Sequence, residues 1–479
     1  MAMTDSALLG RLAARLGPKG LITDPQDIAP WLHDWRGRYH GASPAIVAPA
    51  STLEAADAIR MAGEAGVPLV PQGGNTSMVG GATPPADGGA LILSTRRMNR
   101  IRSISPEDNL AIAEAGVILS DLHDAVEAQG RRFPLTLSAK GSATIGGLTS
   151  TNAGGTQVLR FGTMRALVAG VEAVLPDGSI FDGLSPLKKD NRGYDLKQLL
   201  IGAEGTLGLI TAVALRLAPA VPDRAVAWVG LQSPQVALAL LRRLERALPE
   251  SIESFELVPA DSLALVLKHI PGTRAPLAGA WPWNALIEHV GPAGTARAAL
   301  EEALAGALAE GLGNDAVVAS SHAQEEALWH LRHSISEAER ADGPATQHDI
   351  SVPVAAMPDF MVAAAAAIEA EYPGAHATAF GHLGDGNVHF HVRAPAGAAR
   401  DWVEGEGKAA SRRVYDMVVA AGGSISAEHG IGQMKLDELE RLSDPGRLAA
   451  LRAIKHALDP AGIMNPGKLV RLAPGTPTP

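Results

Sequence analysis

Pro71-Gln-Gly-Gly-Asn-Thr-Ser-Met-Val-Gly-Gly81 decides how the first half of this chain is read. It follows the apolar run 67–70, which predicts a strand, so the glycines open a loop at a strand's end. The spacing matches neither G-x-G-x-x-G nor G-x-x-x-x-G-K-[ST]. Its chemistry is still legible. Four glycines, with Asn75 and Thr76 between the pairs, let successive backbone N–H groups turn toward one concavity, which suits phosphate oxygens.

Two further loops share this character. Ser142-Ala-Thr-Ile-Gly-Gly147 leads to Thr151-Asn-Ala-Gly-Gly155, and Gly202-Ala-Glu-Gly-Thr-Leu-Gly208 comes later. Where side chains are missing, backbone can lie close against a large planar ligand. Ordering three glycine loops costs backbone entropy that a bound ligand would offset.

Working outward, residues 45–49 predict a strand and 52–65 a helix capped by Ser51 or Thr52. Residues 90–94 and 110–117 add strands, and 120–129 a helix. Pro176-Asp177-Gly178 is a hairpin turn between strands 171–175 and 179–182. These segments make a first α+β domain, 1–219. Beyond the proline-bearing linker 218–223, strand, helix, strand recurs twice: 225–231, 234–247, 251–258, then 283–289, 295–309, 316–320. That alternation predicts an antiparallel sheet with helices on one face, a second domain at 220–430. Single helices are expected at 323–339, 357–371, 401–421 and 444–458, with a strand at 350–353. Residues 431–479 form a C-terminal segment.

Inside the second domain stands His382-Leu-Gly-Asp-Gly-Asn-Val-His389. Asp385-Gly386 is a turn signal, because both residues tolerate positive φ. A loop at 384–387 would set His382 opposite His389, with Cβ atoms roughly 5 Å apart. Adding Glu428, from Glu428-His429, gives two nitrogens and one carboxylate. Such a set leaves coordination positions open, as a catalytic metal site does. The same spacing also fits a hairpin carrying two solvated or core histidines.

Composition narrows the rest. A chain of 479 residues with 46% hydrophobic and 19% charged residues is globular and too long for one core. Acidic residues outnumber basic ones, 51 to 41, and are spread along the chain, which opposes nucleic-acid binding. There is no cysteine, so disulfides, thiolate zinc sites and cysteine-held iron–sulfur clusters are excluded. Residues 1–16 lack the pattern of a signal peptide, and no apolar run spans a bilayer. The expectation is a cytoplasmic enzyme, with peripheral membrane docking left open.

Taken together, the three loops and the histidine hairpin resemble the flavoprotein family that includes D-lactate dehydrogenase, D-2-hydroxyglutarate dehydrogenase and glycolate oxidase. That family has the vanillyl-alcohol-oxidase-type FAD fold. The likeness runs from about residue 45 to 469, with the motifs in order. It implies an α+β protein with a two-part FAD-binding domain, a cap domain with an antiparallel sheet covered by helices, and C-terminal helices returning to the FAD domain.

By this resemblance Gly73, Gly74, Asn75, Thr76 and Gly80 match the pyrophosphate loop. Ser142, Thr144, Gly146, Gly147, Asn152 and Gly155 match the second flavin segment, and Glu204, Gly205 and Ile210 the third. Asn465 and Lys468 would lie near the flavin. Relatives with covalent flavin often carry His after the Gly-Gly pair; Asn75 stands here, implying non-covalent FAD. His382, His389 and Glu428 match ligands of a divalent metal (zinc first, manganese or iron as alternatives), and His429 the catalytic base. Arg332 and Ser336 match substrate-holding positions and, four apart, would share a helix face.

The departures are specific. Gln72 stands where many relatives have arginine. Gln347 replaces a frequent lysine and His391 an expected asparagine, both at substrate positions. The loss of lysine's charge points away from 2-hydroxyglutarate and toward lactate-like acids. The implied reaction is oxidation of a D-2-hydroxyacid to the 2-oxoacid, by metal-assisted alkoxide formation, proton removal by His429 and hydride transfer to the flavin. Electrons would leave to an external acceptor, an electron-transfer flavoprotein or quinone. A homodimer is the default oligomer. The rival readings are a metal-independent alcohol or sugar oxidase of the same fold and a non-catalytic FAD subunit of a larger complex.

Overall fold

The computed structural model describes residues 6–185 and 187–472. Part of the N-terminal segment read above, residues 1–5, lies outside the described residues, as do Pro186 and 473–479. The chain divides into two compact units. One comprises Met1–Gly155, Gly162–Ala220 and Glu428–Pro479; the other comprises Thr156–Phe161 and Val221–Ala427.

Among the described residues, the first unit holds two larger sheets and a two-stranded pairing of Arg131–Arg132 with Ala218–Pro219. In one, Ile46–Val47, Leu91–Ser94 and Leu69–Gln72 run parallel, with Leu21–Ile22 antiparallel at the edge. Helix Thr52–Glu64 supplies the crossover. Ser51 Oγ accepts from Glu54 N (3.2 Å) and Glu54 Oε2 from Ala50 N (2.7 Å), which stops the helix from fraying at its start. Its buried stripe of Ala55, Ala58, Ile59 and Ala62 has helical spacing, and such small residues let the helix lie close to the sheet. The other sheet is antiparallel, in the order Ile101–Ser105, Leu110–Glu114, Leu209–Arg216, Val168–Val174, Ile180–Gly183. Sequence patterning missed Ile101–Ser105, which alternates weakly because no residue in it is fully buried. It also left 145–151 as loop, where a helix, Ile145–Thr151, carries two of the glycines.

The second unit is one seven-stranded antiparallel sheet. Its order is Asp315–Val318, Asp223–Leu231, Trp283–Gly291, Ile252–Pro259, His376–His382, Asn387–Arg393, Ala345–Ser351. The expected helices 234–247 and 357–371 form as Pro234–Ala247 and Met357–Glu371.

Two local expectations fail here. The hairpin loop is 383–386, so His382 pairs with Asn387 and His389 with Phe380. The two histidines therefore share a face but sit diagonally, not opposite. The single helix at 323–339 is two helices, His322–His333 and Ile335–Asp342, joined at Ser334. Ser334 Oγ lies 3.4 Å from His330 Nδ1 at this junction. Arg332 and Ser336 are thus on different helices.

Candidate active site

A cavity with about 1380 Å³ of empty volume, part of it open to solvent, lies in the first unit. All three glycine loops line it, through Gly73, Gly74, Asn75 and Thr76, then Thr144, Gly146 and Gly147, then Glu204, Gly205 and Ile210. The first and second loops touch so closely that a Cβ on Gly74 would lie 1.8 Å from Ser142 O. Around the cavity, Gln72 Oε1, Thr95 Oγ1 and Thr144 Oγ1 are buried with no hydrogen-bond partner in the protein. Buried polar atoms left unsatisfied cost stability, so these await a polar ligand. A dinucleotide with many acceptors and donors fits that surround.

Other residues expected at the flavin stand behind the lining. Asn152 adopts left-handed φ (50°) and caps helix Ile145–Thr151, while its Oδ1 accepts from Thr163 Oγ1 (3.0 Å) and Arg165 N (2.9 Å). Asn465 Nδ2 donates to Gly81 O (3.0 Å) and Glu204 O (2.7 Å), tying the first loop to the third. Burial lowers Lys468 to about 8, against the opposing pull of Glu204. Gly80, Ser142 and Gly155 also lie outside the lining. The segment Leu137, Ser138 and Ala139, not singled out in the sequence, does line it. Gln72, which replaces arginine, ties the loop's base by donating to Trp31 O (3.1 Å) and Ala82 O (2.9 Å).

Glu428 and His429 line the same cavity. Gly154 makes room for the carboxylate: a Cβ there would stand 2.7 Å from Glu428 Oε1.

In the second unit, the sheet face carries a different kind of site. His382 and His389 have ring centroids 5.4 Å apart. His382 Nδ1 meets Glu256 Oε1 at 2.6 Å. Burial alone would raise the Glu256 carboxyl, but His382 and Arg332 together hold it below its usual range, so it is ionised. An ionised carboxylate only accepts, so His382 Nδ1 carries the proton and donates to it, which fixes the orientation of the ring. Burial first, then the charges of His382 and Arg332, push His389 well below 6.5, keeping it in the neutral form that ligates.

Arg332 is buried, not solvated. Its Nε donates to Glu256 Oε2 (2.9 Å); Nη2 is equally close to that oxygen but off the line of a hydrogen bond. The guanidinium also stacks over Phe380, 5.0 Å from the ring centroid. Gln347 and His391 are directly paired across strands, and His391 Nδ1 bonds the buried Glu339. Ser336 is half-buried on the helix after the break. Sequence reasoning missed Glu256 and Glu339. The available signal for Glu256 was a carboxylate inside Ile252–Pro259, a strand buried along its whole length.

Comparison with known proteins agrees with this geometry. Residues 43–183 match the family described as FAD binding domain, and 221–469 that of FAD linked oxidases, C-terminal domain. The chain is 39% identical to mitochondrial D-2-hydroxyglutarate dehydrogenase of Bos taurus, over 95% of this chain and 82% of that one. It is 36% identical to D-2-hydroxyglutarate dehydrogenase of Xanthomonas citri pv. viticola, over 98% and 97%. Among solved structures, p-cresol methylhydroxylase aligns at a TM-score of 0.75 with 17% identity, covering 96% of both chains. The 4-ethylphenol oxidase of Gulosibacter chungangensis aligns at 0.73 with 18% identity, covering 99% and 98%. The fold is therefore that of the vanillyl-alcohol-oxidase-type flavoproteins. Among the described residues, no helix is long and apolar enough to cross a membrane.

Proposed function

Because the chain belongs to the FAD-linked D-2-hydroxyacid dehydrogenases, which oxidise small D-2-hydroxyacids with bound FAD, we propose that it does so with a divalent metal. His382, His389 and Glu428 are the proposed ligands, zinc the first candidate and manganese or iron the alternatives. The observation that carries this reading is the diagonal imidazole pair, with His382 Nδ1 fastened by Glu256. Bound FAD supplies the two-electron acceptor, and a divalent ion supplies positive charge that makes a nearby hydroxyl more acidic.

The chain's own residues then have defined tasks. His429 takes the proton from the substrate's C2 hydroxyl, a role worth about 10²–10⁴-fold in rate. Arg332, held flat by Glu256 and Phe380, directs its remaining N–H groups at the substrate carboxylate and fixes the C2 carbon's orientation. Ser336 donates to a nearby substrate oxygen. Gln347 and His391, paired across strands, face the substrate's side chain. Glu339 supplies His391 with a carboxylate partner, so this pair adds no free positive charge for a distal carboxylate. Lactate-like acids therefore fit better than dicarboxylates, although the relatives named above are 2-hydroxyglutarate enzymes. Non-covalent FAD follows from Asn75 and the missing cysteine. Electrons leave to an external acceptor.

The test is anaerobic bleaching of the purified yellow protein by D-lactate, D-malate and D-2-hydroxyglutarate, with metal analysis of the same sample. Bleaching by at least one acid and a near-stoichiometric divalent metal are expected. Full activity after exhaustive chelation would reject the metal.

A further inference from the structure

Glu204 was matched to the flavin, yet its carboxylate is spent elsewhere. Oε1 accepts from Ile431 N and Oε2 from Gly432 N, both at 2.7 Å and both buried. One side chain thus holds two successive amides of the turn that follows Glu428-His429. The fit is tight from the other side too. Gly430 is in the left-handed region (φ +81°), and a Cβ on it would stand 2.8 Å from Glu204 Oε1. Glu204 itself has φ 53°, rare for a non-glycine residue. Strained backbone of this kind persists where the surroundings over-determine it. Here they do so through Asn465 Nδ2, which donates to Glu204 O, and Ser150 O, which accepts from Glu204 N; both bonds are 2.7 Å.

We propose that Glu204 is a positioning residue for His429, clamping the 430–432 turn so that the base is held at the edge of the cavity. The inference rests on the reading of His429 as the base. A buried carboxylate is costly unless its acceptor capacity is filled. Burial raises the Glu204 carboxyl above its usual range, and the two amide bonds, then the charges of Lys435 and Lys468, oppose that rise. A neutral amide cannot replace it: the NH₂ of glutamine would confront one of the two N–H groups, since neither can accept. The turn would shift, and a displacement near 1 Å in a catalytic group costs roughly 10²-fold in rate.

The experiment is a double-mutant cycle on the holoenzyme, read as the rate of anaerobic flavin bleaching by D-2-hydroxyglutarate and D-lactate. Glu204→Gln should lower that rate about 10- to 100-fold, with FAD content and metal content unchanged and KM nearly so. In a His429→Asn background the same substitution should cause no further loss, because there is no base left to misplace. Glu204→Asp keeps the charge but withdraws it from the amides; it should behave like Glu204→Gln and serves if that variant does not fold. Rates unchanged in both Glu204 variants, while His429→Asn is slow, would overturn the positioning role alone. An additive loss on His429→Asn, or loss of FAD in step with rate, would also overturn it and assign Glu204 to the fold or the cofactor. A fully active His429→Asn would remove the base reading and this inference together.

Discussion

The glycine-lined cavity and the histidine-bearing sheet face are built in opposite ways. In the first unit the cavity wall is made by leaving side chains out: Gly73, Gly74, Gly146, Gly147 and Gly205 leave backbone as its lining. In the second, polar and titratable side chains are put in and buried with partners: His382 and Arg332 on Glu256, His391 on Glu339. The lesson is that a large cofactor is gripped by shape and backbone donors. A small, ionised substrate needs fixed charges, each of which must be matched before it can be buried.

The sharpest way to break this contrast is to change side-chain chemistry at one end and shape at the other. His429→Asn should slow flavin reduction by about 10²–10⁴-fold while the protein stays yellow, as measured by stopped-flow bleaching. Equal rates would remove His429 from proton transfer. Glu256→Gln should weaken metal binding about 10–100-fold, because His382 loses the carboxylate that orients it. Competition with a chromophoric chelator measures this, and an unchanged affinity would show that Glu256 serves Arg332 alone.

The converse change is Gly74→Ala, which places a methyl group on Ser142 O. Relief of such an overpacked contact typically costs about 1–3 kcal/mol, so FAD affinity should fall about tenfold or more, with metal content intact. Loss of metal in that variant would blur the division of labour. Smallest of all, Gln347→Lys should raise kcat/KM for D-2-hydroxyglutarate over D-lactate a few-fold, the scale of a partly exposed ion pair. No change in the ratio would place the distal end of the substrate elsewhere.

How much could be read beforehand follows the same division. Glycine loops are local: strand, turn and small residues lie within a dozen positions, and parts of all three line one cavity. The histidines were legible as a hairpin, but their register was not. Which residue of Leu383–Gly386 starts the turn depends on neighbours such as Leu159 and Val352, which pack against Gly384 and Gly386. The buried carboxylates were the least legible. Glu256 lies 126 residues before His382, and Glu339 lies 52 before His391, separations at which no periodicity carries information. Asn152 caps helix Ile145–Thr151 and lies outside the cavity lining. In sequence, an asparagine within a glycine loop reads the same whether it touches a ligand or ends a helix.

The most direct measurement is the divalent-metal content of the purified, FAD-loaded protein beside that of His389→Ala, with visible spectra of both. The account predicts a near-stoichiometric metal in the wild type, its loss in the variant together with turnover, and an undiminished flavin spectrum in both. A metal-free wild type that oxidises D-2-hydroxyacids at full rate would contradict it.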